Sequence, residues 1–255
     1  MDPILTAVLL AVTGVVAGTL NVVAGGGSFL TLPLLIFLGL PPQVANGTNR
    51  VGILMQNASA LRGFMRANVV DRGALVWAAL PATAGASIGI WAALVVTDDA
   101  FKRILALLMI IVTLWTLWDP FGKTLANNDP TRALELTGKR RFFVMVAFFL
   151  VGIYGGFVQA GVGFFLLAVT TFAGLDLVRG NAIKVLTVLC FTTLALALFA
   201  WQGKVAWTYG LALAAGTIIG GRLGAHLTVA KGHKWIRGVV VVTVLVFAVK
   251  LWLDS

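Results

Sequence analysis

Residues 21–30 read NVVAGGGSFL, which places three consecutive glycines inside an otherwise apolar segment. Residues 157–166 read FVQAGVGFFL and interrupt a second apolar segment in the same way. The similarity continues downstream, where Gly39-Leu40 and Ala45-Asn46-Gly47 correspond to Gly174-Leu175 and Gly180-Asn181-Ala182. The chain is therefore predicted to be one unit duplicated. Apolar segments that glycine interrupts at matching places are typical of a membrane transporter's binding site, because unwound backbone offers free N–H and C=O groups there.

The composition predicts an integral membrane protein. Hydrophobic residues make up 60% of the 255 positions and the mean hydropathy is +0.99, whereas soluble domains hold roughly 45–50% apolar residues. A helix needs about 20 apolar residues to cross the hydrocarbon, and no ten-residue stretches show the period-two alternation of barrel strands. We therefore expect an all-α membrane fold.

Ten apolar segments are predicted, five in each half. The predicted division is residues 1–118 as the first membrane repeat, 119–141 as a polar linker and 142–255 as the second membrane repeat. The second segment of each half spans roughly 16 Å at 1.5 Å per residue, about half a bilayer, and is predicted to be a half-helix. An odd number of crossings per half makes the repeats inverted. The expected total is about 8–10 membrane segments, with the lower number if the short segments are re-entrant.

Basic residues cluster in alternate connections between these segments. The net charge is +10, and the basic clusters lie within residues 62–72, between the third and fourth segments, within the linker, and within residues 231–237, between the ninth and tenth segments. All three clusters lie on one side when every segment crosses, and the positive-inside rule makes that side, including the linker, cytoplasmic. Membrane insertion and anionic lipid headgroups explain such clusters. The positive charge therefore does not predict a nucleic-acid partner.

Two cations fall near the start of matching segments. Arg50 follows Asn46-Gly47-Thr48-Asn49, and Lys184 lies one place from the equivalent position in the second half. A charge at membrane depth costs about 2.5–3.5 kcal/mol on insertion scales, so we interpret both side chains as ligands for a substrate's negative charge. The alternative is that each side chain extends to an interface.

Backbone and amide donors complete the predicted anion site. Each short segment begins at a glycine break, where unpaired N–H groups of a helix start carry about half a positive charge. Amide side chains in apolar surroundings add further donors, although glycine packing and hydrogen bonds between helices are alternative explanations. The predicted substrate-binding residues are Asn21, Gly25, Gly26, Gly27, Ser28, Asn46, Asn49, Arg50, Gln56, Asn57, Gln159, Gly161, Gly163, Asn181 and Lys184.

Sequence features of other function classes are missing. The single cysteine, Cys190, cannot form an internal disulfide, and the two histidines and nine acidic residues show no metal-ligand spacing. No nucleophile lies beside a base, and no phosphate-binding loop opens a soluble domain. We therefore expect no enzymatic activity, no metal and no cofactor.

The glycine motif and its surroundings resemble a known family. A set of motifs, with a degenerate second copy, is similar to the TauE/SafE family of sulfite and organosulfonate exporters: Ala24-Gly25-Gly26-Gly27-Ser28-Phe29-Leu30, Pro33, Leu38-Gly39-Leu40-Pro41 and Ala45-Asn46-Gly47-Thr48-Asn49. The resemblance covers essentially the whole chain and implies a multi-pass permease of the bacterial inner membrane for small sulfur-containing anions. The second copy departs at Val162 and Phe164, where the first has Gly26 and Ser28.

These features together predict a secondary transporter that exports sulfite or C2 organosulfonates by alternating access around a midplane anion site. The expected partners are the small anion, the lipid bilayer and a coupling ion, H⁺ or Na⁺. The sequence does not define the oligomeric state. Two other functions stay open at this point, a channel-like anion pore and a membrane scaffold subunit without flux of its own.

Overall fold

The computed structural model describes residues 2–118 and 137–253, and all regular structure in these ranges is helical. Within them the α-helices are α1 (Pro3–Val23), α2 (Ser28–Phe37), α3 (Pro42–Arg66), α4 (Leu80–Val95), α5 (Asp98–Trp118), α6 (Gly138–Phe157), α7 (Val162–Phe172), α8 (Leu177–Trp201) and α9 (Trp207–Leu253). A π-helical turn, Leu75–Ala79, leads into α4. Most of the predicted linker lies outside the described residues, and α6 begins within its last part.

The first three helices of each half have matching lengths. α1 and α6 have 21 and 20 residues, α2 and α7 have 10 and 11, and α3 and α8 both have 25. Both short helices also end alike, since Gly39 and Gly174 take φ values of 92° and 94°, which glycine adopts without steric cost. The helices therefore repeat the duplication that the sequence predicts.

The short helix of the second half folds back along the helix before it, and the short helix of the first half starts beside the end of its own. Arg140, at the start of α6, donates to the carbonyl oxygens of Phe172 and Ala173 at the end of α7, at 3.4 and 3.1 Å, so α7 returns toward the beginning of α6. In the first half, a Cβ atom added to Gly27 would lie 2.7 Å from Asn21 Cβ, so α2 starts beside the last turns of α1. The fold-back of α7 agrees with the alternative that has the lower number of crossings.

Glycine faces bring helices of opposite halves into close contact. Gly14 and Gly18 of α1 lie on α9, where a Cβ atom on Gly18 would come within 3.1 Å of Thr217 Cα. Gly152 and Gly156 of α6 lie equally close to α4. Small residues allow membrane helices to approach through their backbones in this way. α1 packs mainly on α9 and α4 mainly on α6, so the two halves interlock.

Four described helical segments are long and apolar enough to cross a membrane: Pro3–Val23, Leu75–Val95, Gly138–Phe157 and Leu177–Trp201. The long helix α3 differs from them in composition, because it carries buried polar side chains such as Asn46, Asn49 and Arg50. Burial inside the bundle provides these groups with protein partners, which polar groups at membrane depth require. The chain is therefore a multi-pass helical protein whose third helix carries polar groups into its interior.

The last helix is longer than the sequence predicts. Residues 205–229 and 235–253 are expected as two segments with a turn between them, whereas the backbone of α9 is one continuous helix of 47 residues. At 1.5 Å per residue this is about 70 Å. The predicted turn is wrong because Lys231-Gly232-His233-Lys234 contains no proline, and a single glycine costs a helix only about 1 kcal/mol.

Candidate functional site

Lys184 of α8 caps the C-terminal end of α1. Its ammonium donates to the carbonyl oxygens of Asn21 and Val22, at 3.0 and 2.6 Å, and to Asn181 Oδ1 at 2.5 Å. Asn181 in turn donates to the carbonyl oxygen of Val23 at 3.3 Å. Carbonyl groups at a helix C-terminus lack intrahelical partners and carry a partial negative charge. The glycine break in the first half therefore creates the end to which the cation of the second half binds.

Arg50 of α3 makes the equivalent contact with the end of α6. Asn46, one turn earlier on α3, donates to the carbonyl oxygen of Phe157 at 2.8 Å. The guanidinium of Arg50 donates to the carbonyl oxygens of Gly155 and Gly156, at 3.5 and 2.6 Å, and to Gln159 Oε1 at 3.2 Å. Each half thus supplies one amide and one cation to the interrupted helix of the other half.

Both cations are buried, and neither has a carboxylate partner in the part of the chain that the structure describes. Arg50 is 0% exposed and Lys184 is 2% exposed, so neither side chain extends to the protein surface. All their hydrogen-bond acceptors are neutral oxygens, and the Phe199 ring, 4.8 Å from the guanidinium carbon of Arg50, adds a cation–π contact. These partners offset part of the cost of burial. The described interior at this point therefore holds two basic side chains without an acidic neighbour that bonds to them.

The two glycine breaks touch each other through their backbones. A Cβ atom on Gly25 would lie 2.5 Å from the carbonyl carbon of Gly163 and 2.7 Å from the nitrogen of Phe164. Gly25 and Gly161 also hold positive φ values of 98° and 73°, a region that other residues enter only at a cost. Glycine is therefore required at Gly25 both for its own conformation and for the approach of the second break.

The remaining residues of the first break are buried at the start of α2. Gly26, Gly27 and Ser28 all lie inside the protein. The amides of Phe29 and Leu30 donate to the carbonyl oxygens of Gly26 and Gly27. Two first-turn amides of α2 are therefore already bonded, and they are not free to bind an anion in this conformation.

A narrow cavity lies beside the two breaks, with a volume of about 10 Å³, which is room for roughly one water molecule. Its lining joins a helix start, one cation, several amides and apolar side chains: Asn21, Ile53, Gln56, Asn57, Gln159, Val162, Gly163, Lys184 and Val188. Asn21 Nδ2 donates to Gln56 Oε1 at 3.3 Å, and Asn57 Nδ2 donates to the Ile53 carbonyl oxygen at 2.7 Å. Part of the hydrogen-bonding capacity of the lining is therefore already used within the protein.

Gln159 connects the cavity with Arg50. Its Oε1 accepts from Arg50 at 3.2 Å, and its Nε2 donates to Thr192 Oγ1 at 2.6 Å. Gln159 also holds a positive φ of 66° although it is not glycine, and such conformations persist where the surrounding contacts hold them, often at functional sites. Arg50 itself does not line the cavity, so any effect of its charge on the cavity passes through Gln159 or through space.

Three polar atoms on one stretch of α3 are buried without a described partner. They are Asn46 Oδ1, Asn49 Nδ2 and Arg50 Nε, and two of the three are hydrogen-bond donors. Asn49 uses its Oδ1 to accept from Thr31 at 2.7 Å. A buried polar group without a partner costs about 1–3 kcal/mol, so these donors favour a nearby acceptor such as water or an oxyanion.

The structure brings the predicted site residues into one region, but only some of them line the cavity. The cavity lining includes Asn21, Gln56, Asn57, Gln159, Gly163 and Lys184. The others do not line the cavity. Asn46, Arg50 and Asn181 cap helix ends, Asn49 bonds to Thr31, and the rest form the breaks: Gly25, Gly26, Gly27, Ser28 and Gly161.

Sequence reasoning did not select several residues that belong to the site. Ile53, Val162 and Val188 provide its apolar walls, and Thr192 anchors Gln159. The helical period contains a signal for two of them, because Val188 and Thr192 follow Lys184 at intervals of four and therefore share its face of α8. The apolar residues carry no chemical signal of their own.

Comparison with known proteins matches residues 10–251 to the family described as "Sulfite exporter TauE/SafE". A "Probable membrane transporter protein ORF9" of Sinorhizobium sp is 30% identical over 246 residues, which cover 96% of this chain and 92% of that protein. The "Probable membrane transporter protein YfcA" of Escherichia coli (strain K12) is 31% identical over 256 residues, covering 100% of this chain and 92% of that protein. A "Probable membrane transporter protein" of Haemophilus influenzae is 30% identical over 256 residues, covering 98% and 96%. No solved structure gives a significant match.

Proposed function

The chain belongs to the sulfite exporter TauE/SafE family, and from this premise we propose that it exports sulfite or a C2 organosulfonate as a secondary transporter. Alternating access around the cavity would carry the anion, with H⁺ or Na⁺ as the coupling ion. The proposed location is the bacterial inner membrane. The family description names sulfite, and the relatives are named as membrane transporters.

The observation that carries this proposal is the uncompensated positive charge beside the cavity. Lys184 lines the cavity, Arg50 lies behind Gln159, and all acceptors of both cations are neutral oxygens. An anion in the cavity would complete the charge balance, which a neutral or cationic substrate would not. In this conformation Lys184 already donates three hydrogen bonds, the most that an ammonium can donate. It would attract the anion by its charge, while the amides of Gln56 and Asn57 rearrange to donate.

The narrowness of the cavity supports a carrier over an open pore. The space holds roughly one water molecule in this conformation and is narrowed by the contact between Asn21 and Gln56. An open pore would instead need a continuous polar path, so we favour alternating access over a channel. In the proposed cycle the breaks separate so that the amides can bind an oxyanion, and the cavity closes again around it.

Helix directions support two inverted repeats. Asn46 and Arg50 of α3 meet Phe157 and Gly156 in reverse order, so α3 and α6 are antiparallel. α8 and α1 are antiparallel for the same reason, through the contacts of Asn181 and Lys184. The two halves thus make equivalent contacts, as repeats related by a twofold pseudo-axis do. In the proposed fold this axis lies in the membrane plane, and such folds alternate their access by rocking one part against the other.

Single-cysteine labelling tests this topology. In a Cys190→Ala background, Arg66→Cys and Thr137→Cys are expected to react with an impermeant thiol reagent only from the cytoplasm, because basic clusters lie beside them. Asp99→Cys and Gln202→Cys are expected to react only from outside. All four positions are exposed. Labelling of Asp99→Cys and Thr137→Cys from the same side would contradict the inverted repeats.

A ligand screen tests the function itself. Purified protein is heated with sulfite, sulfate, thiosulfate, sulfoacetate, isethionate or taurine, and with chloride at equal ionic strength as the control. The transported anion is expected to stabilise the protein by about 2.7 kcal/mol at 100 times its dissociation constant, and the same anion should show saturable flux in proteoliposomes. Protein that neither binds nor moves any of these oxyanions would instead be a scaffold subunit.

A further inference from the structure

A second, apolar groove follows the hairpin of α6 and α7, away from the cavity described above. Its volume is about 320 Å³. Its walls contain no polar side chain, and they consist of Phe143, Val144, Ala147 and Val151 on α6 and of Phe165, Ala168, Val169 and Phe172 on α7. Phe143 and Phe172 are 64% and 66% exposed, so the groove opens on the surface of the protein.

The groove has the length of an acyl chain within one leaflet. Along α6 its walls extend from Phe143 to Val151, about 12 Å at 1.5 Å per residue. Half of the hydrocarbon core is about 15 Å thick. Because α7 runs antiparallel to α6, Phe172 lies at the same end as Phe143, and Phe165 lies at the inner end near the glycine break. The groove therefore runs from the beginning of α6 toward the middle of the membrane.

Three consecutive basic residues lie at the outer end of this groove. Arg140 is held there by its hydrogen bonds to the carbonyl oxygens of Phe172 and Ala173. Lys139 and Arg141 on either side of it are exposed. The first acid after α7, Asp176, caps α8 through the amides of residues 178 and 179 and pairs with Arg179 at 3.7 Å. Among the described residues the basic cluster has no carboxylate partner, so its charge can attract an anionic headgroup.

We propose that this groove binds one phospholipid with an anionic headgroup, in the leaflet next to the linker. The acyl chain lies between α6 and α7, and the phosphate lies at Lys139, Arg140 and Arg141. A lipid fits both parts of the site, whereas a second copy docked symmetrically on this groove would bring its own basic cluster against the first. The lipid would hold α7 against α6 and so support the re-entrant hairpin that carries the second glycine break.

Native mass spectrometry of the full chain in detergent tests the acyl-chain part. The probes are phosphatidylglycerol and phosphatidylcholine with identical acyl chains. Ala147→Trp and Ala168→Trp fill the groove and are expected to abolish retention of a phosphatidylglycerol molecule. Ala7→Trp, on the exposed face of α1, is the matched control and should retain it. Equal binding by Ala7→Trp and both groove variants would overturn the proposal, as would a change of oligomeric mass with lipid binding intact.

A charge-reduced variant tests the headgroup part without altering the groove. Each basic residue near a membrane surface contributes about 1 kcal/mol to anionic lipid binding, or about fivefold. Lys139→Gln with Arg141→Gln is therefore expected to lower the preference for phosphatidylglycerol over phosphatidylcholine by about 25-fold at low salt. Lys102→Gln with Arg103→Gln, two exposed residues on α5, should leave it unchanged. An unchanged preference in the first pair would remove the basic cluster from the site.

Discussion

Gly25→Ala is expected to abolish anion transport while the protein still reaches the membrane. The added methyl group would lie 2.5 Å from the carbonyl carbon of Gly163, inside van der Waals contact, and alanine would also have to hold the φ of 98°. The left-handed conformation costs about 1–2 kcal/mol and the overlap about 1–3 kcal/mol more. A shift of about 3 kcal/mol against the touching arrangement is roughly a hundredfold, so flux should fall by at least that factor.

Substitutions at two other glycines show whether the close contact or the positive φ causes the loss of transport. Gly163 faces Gly25 without a positive φ, so Gly163→Ala tests the contact alone and is expected to abolish flux as well. Gly39 has a φ of 92° and nothing within 4 Å of its added Cβ atom, so Gly39→Ala tests the conformation alone and should keep most of the flux. Flux and membrane yield are measured for all three. Full flux in Gly163→Ala would show that the contact between the breaks is not part of the cycle.

Lys184→Gln is expected to weaken binding of the transported anion by roughly ten- to hundredfold. The change removes the only cation in the described cavity lining. Because the three hydrogen bonds of Lys184 are already made, the loss is one of charge attraction, about 2 kcal/mol for unit charges roughly 8 Å apart at an effective dielectric constant of about 20. Arg50→Gln should weaken binding less, because Arg50 lies behind Gln159 and not in the cavity wall. The dissociation constant for the best anion of the screen is measured in both variants at several salt concentrations.

The conservative variants show whether charge or capping is responsible. Lys184→Arg keeps the charge and should keep part of the affinity, although a planar guanidinium cannot reproduce the three acceptors of the ammonium. Arg50→Lys keeps a charge but cannot donate to Gly156 and Gln159 in the same planar geometry, so it should lower protein stability more than anion affinity. An unchanged dissociation constant in both Gln variants would remove these two residues from the anion site.

The sequence predicts the duplication, the breaks and the two cations because each leaves a local chemical signal. Glycine runs inside apolar segments and charged residues near helix starts are visible without any tertiary information. The short length of α2 and α7 is also predictable from sequence, because the number of residues in each apolar run shows that it is too short to cross the membrane. The family assignment, which the comparison confirms over residues 10–251, depends on these same local motifs.

The partners of these residues could not be predicted, because they come from the other half of the chain. Nothing near Arg50 in sequence indicates that it caps α6, and nothing near Lys184 indicates α1. The direct contact of Gly25 with Gly163 likewise arises only when the halves interlock. The turn expected before residue 235 fails for a different reason, since a short polar stretch without proline does not stop a helix.

Because α1 packs on α9, the contacts of the first helix cannot all form until the last helix has been synthesised. α1 leaves the ribosome first and α9 last, and at about 5–20 residues per second the roughly 200 residues between them take about 10–40 s to make. During that time Gly14 and Gly18 lack the backbone of α9 that covers them in the finished fold. A nascent chain that stops before α9 therefore lacks the main packing partner of its first helix, and quality-control proteases would meet it in that state.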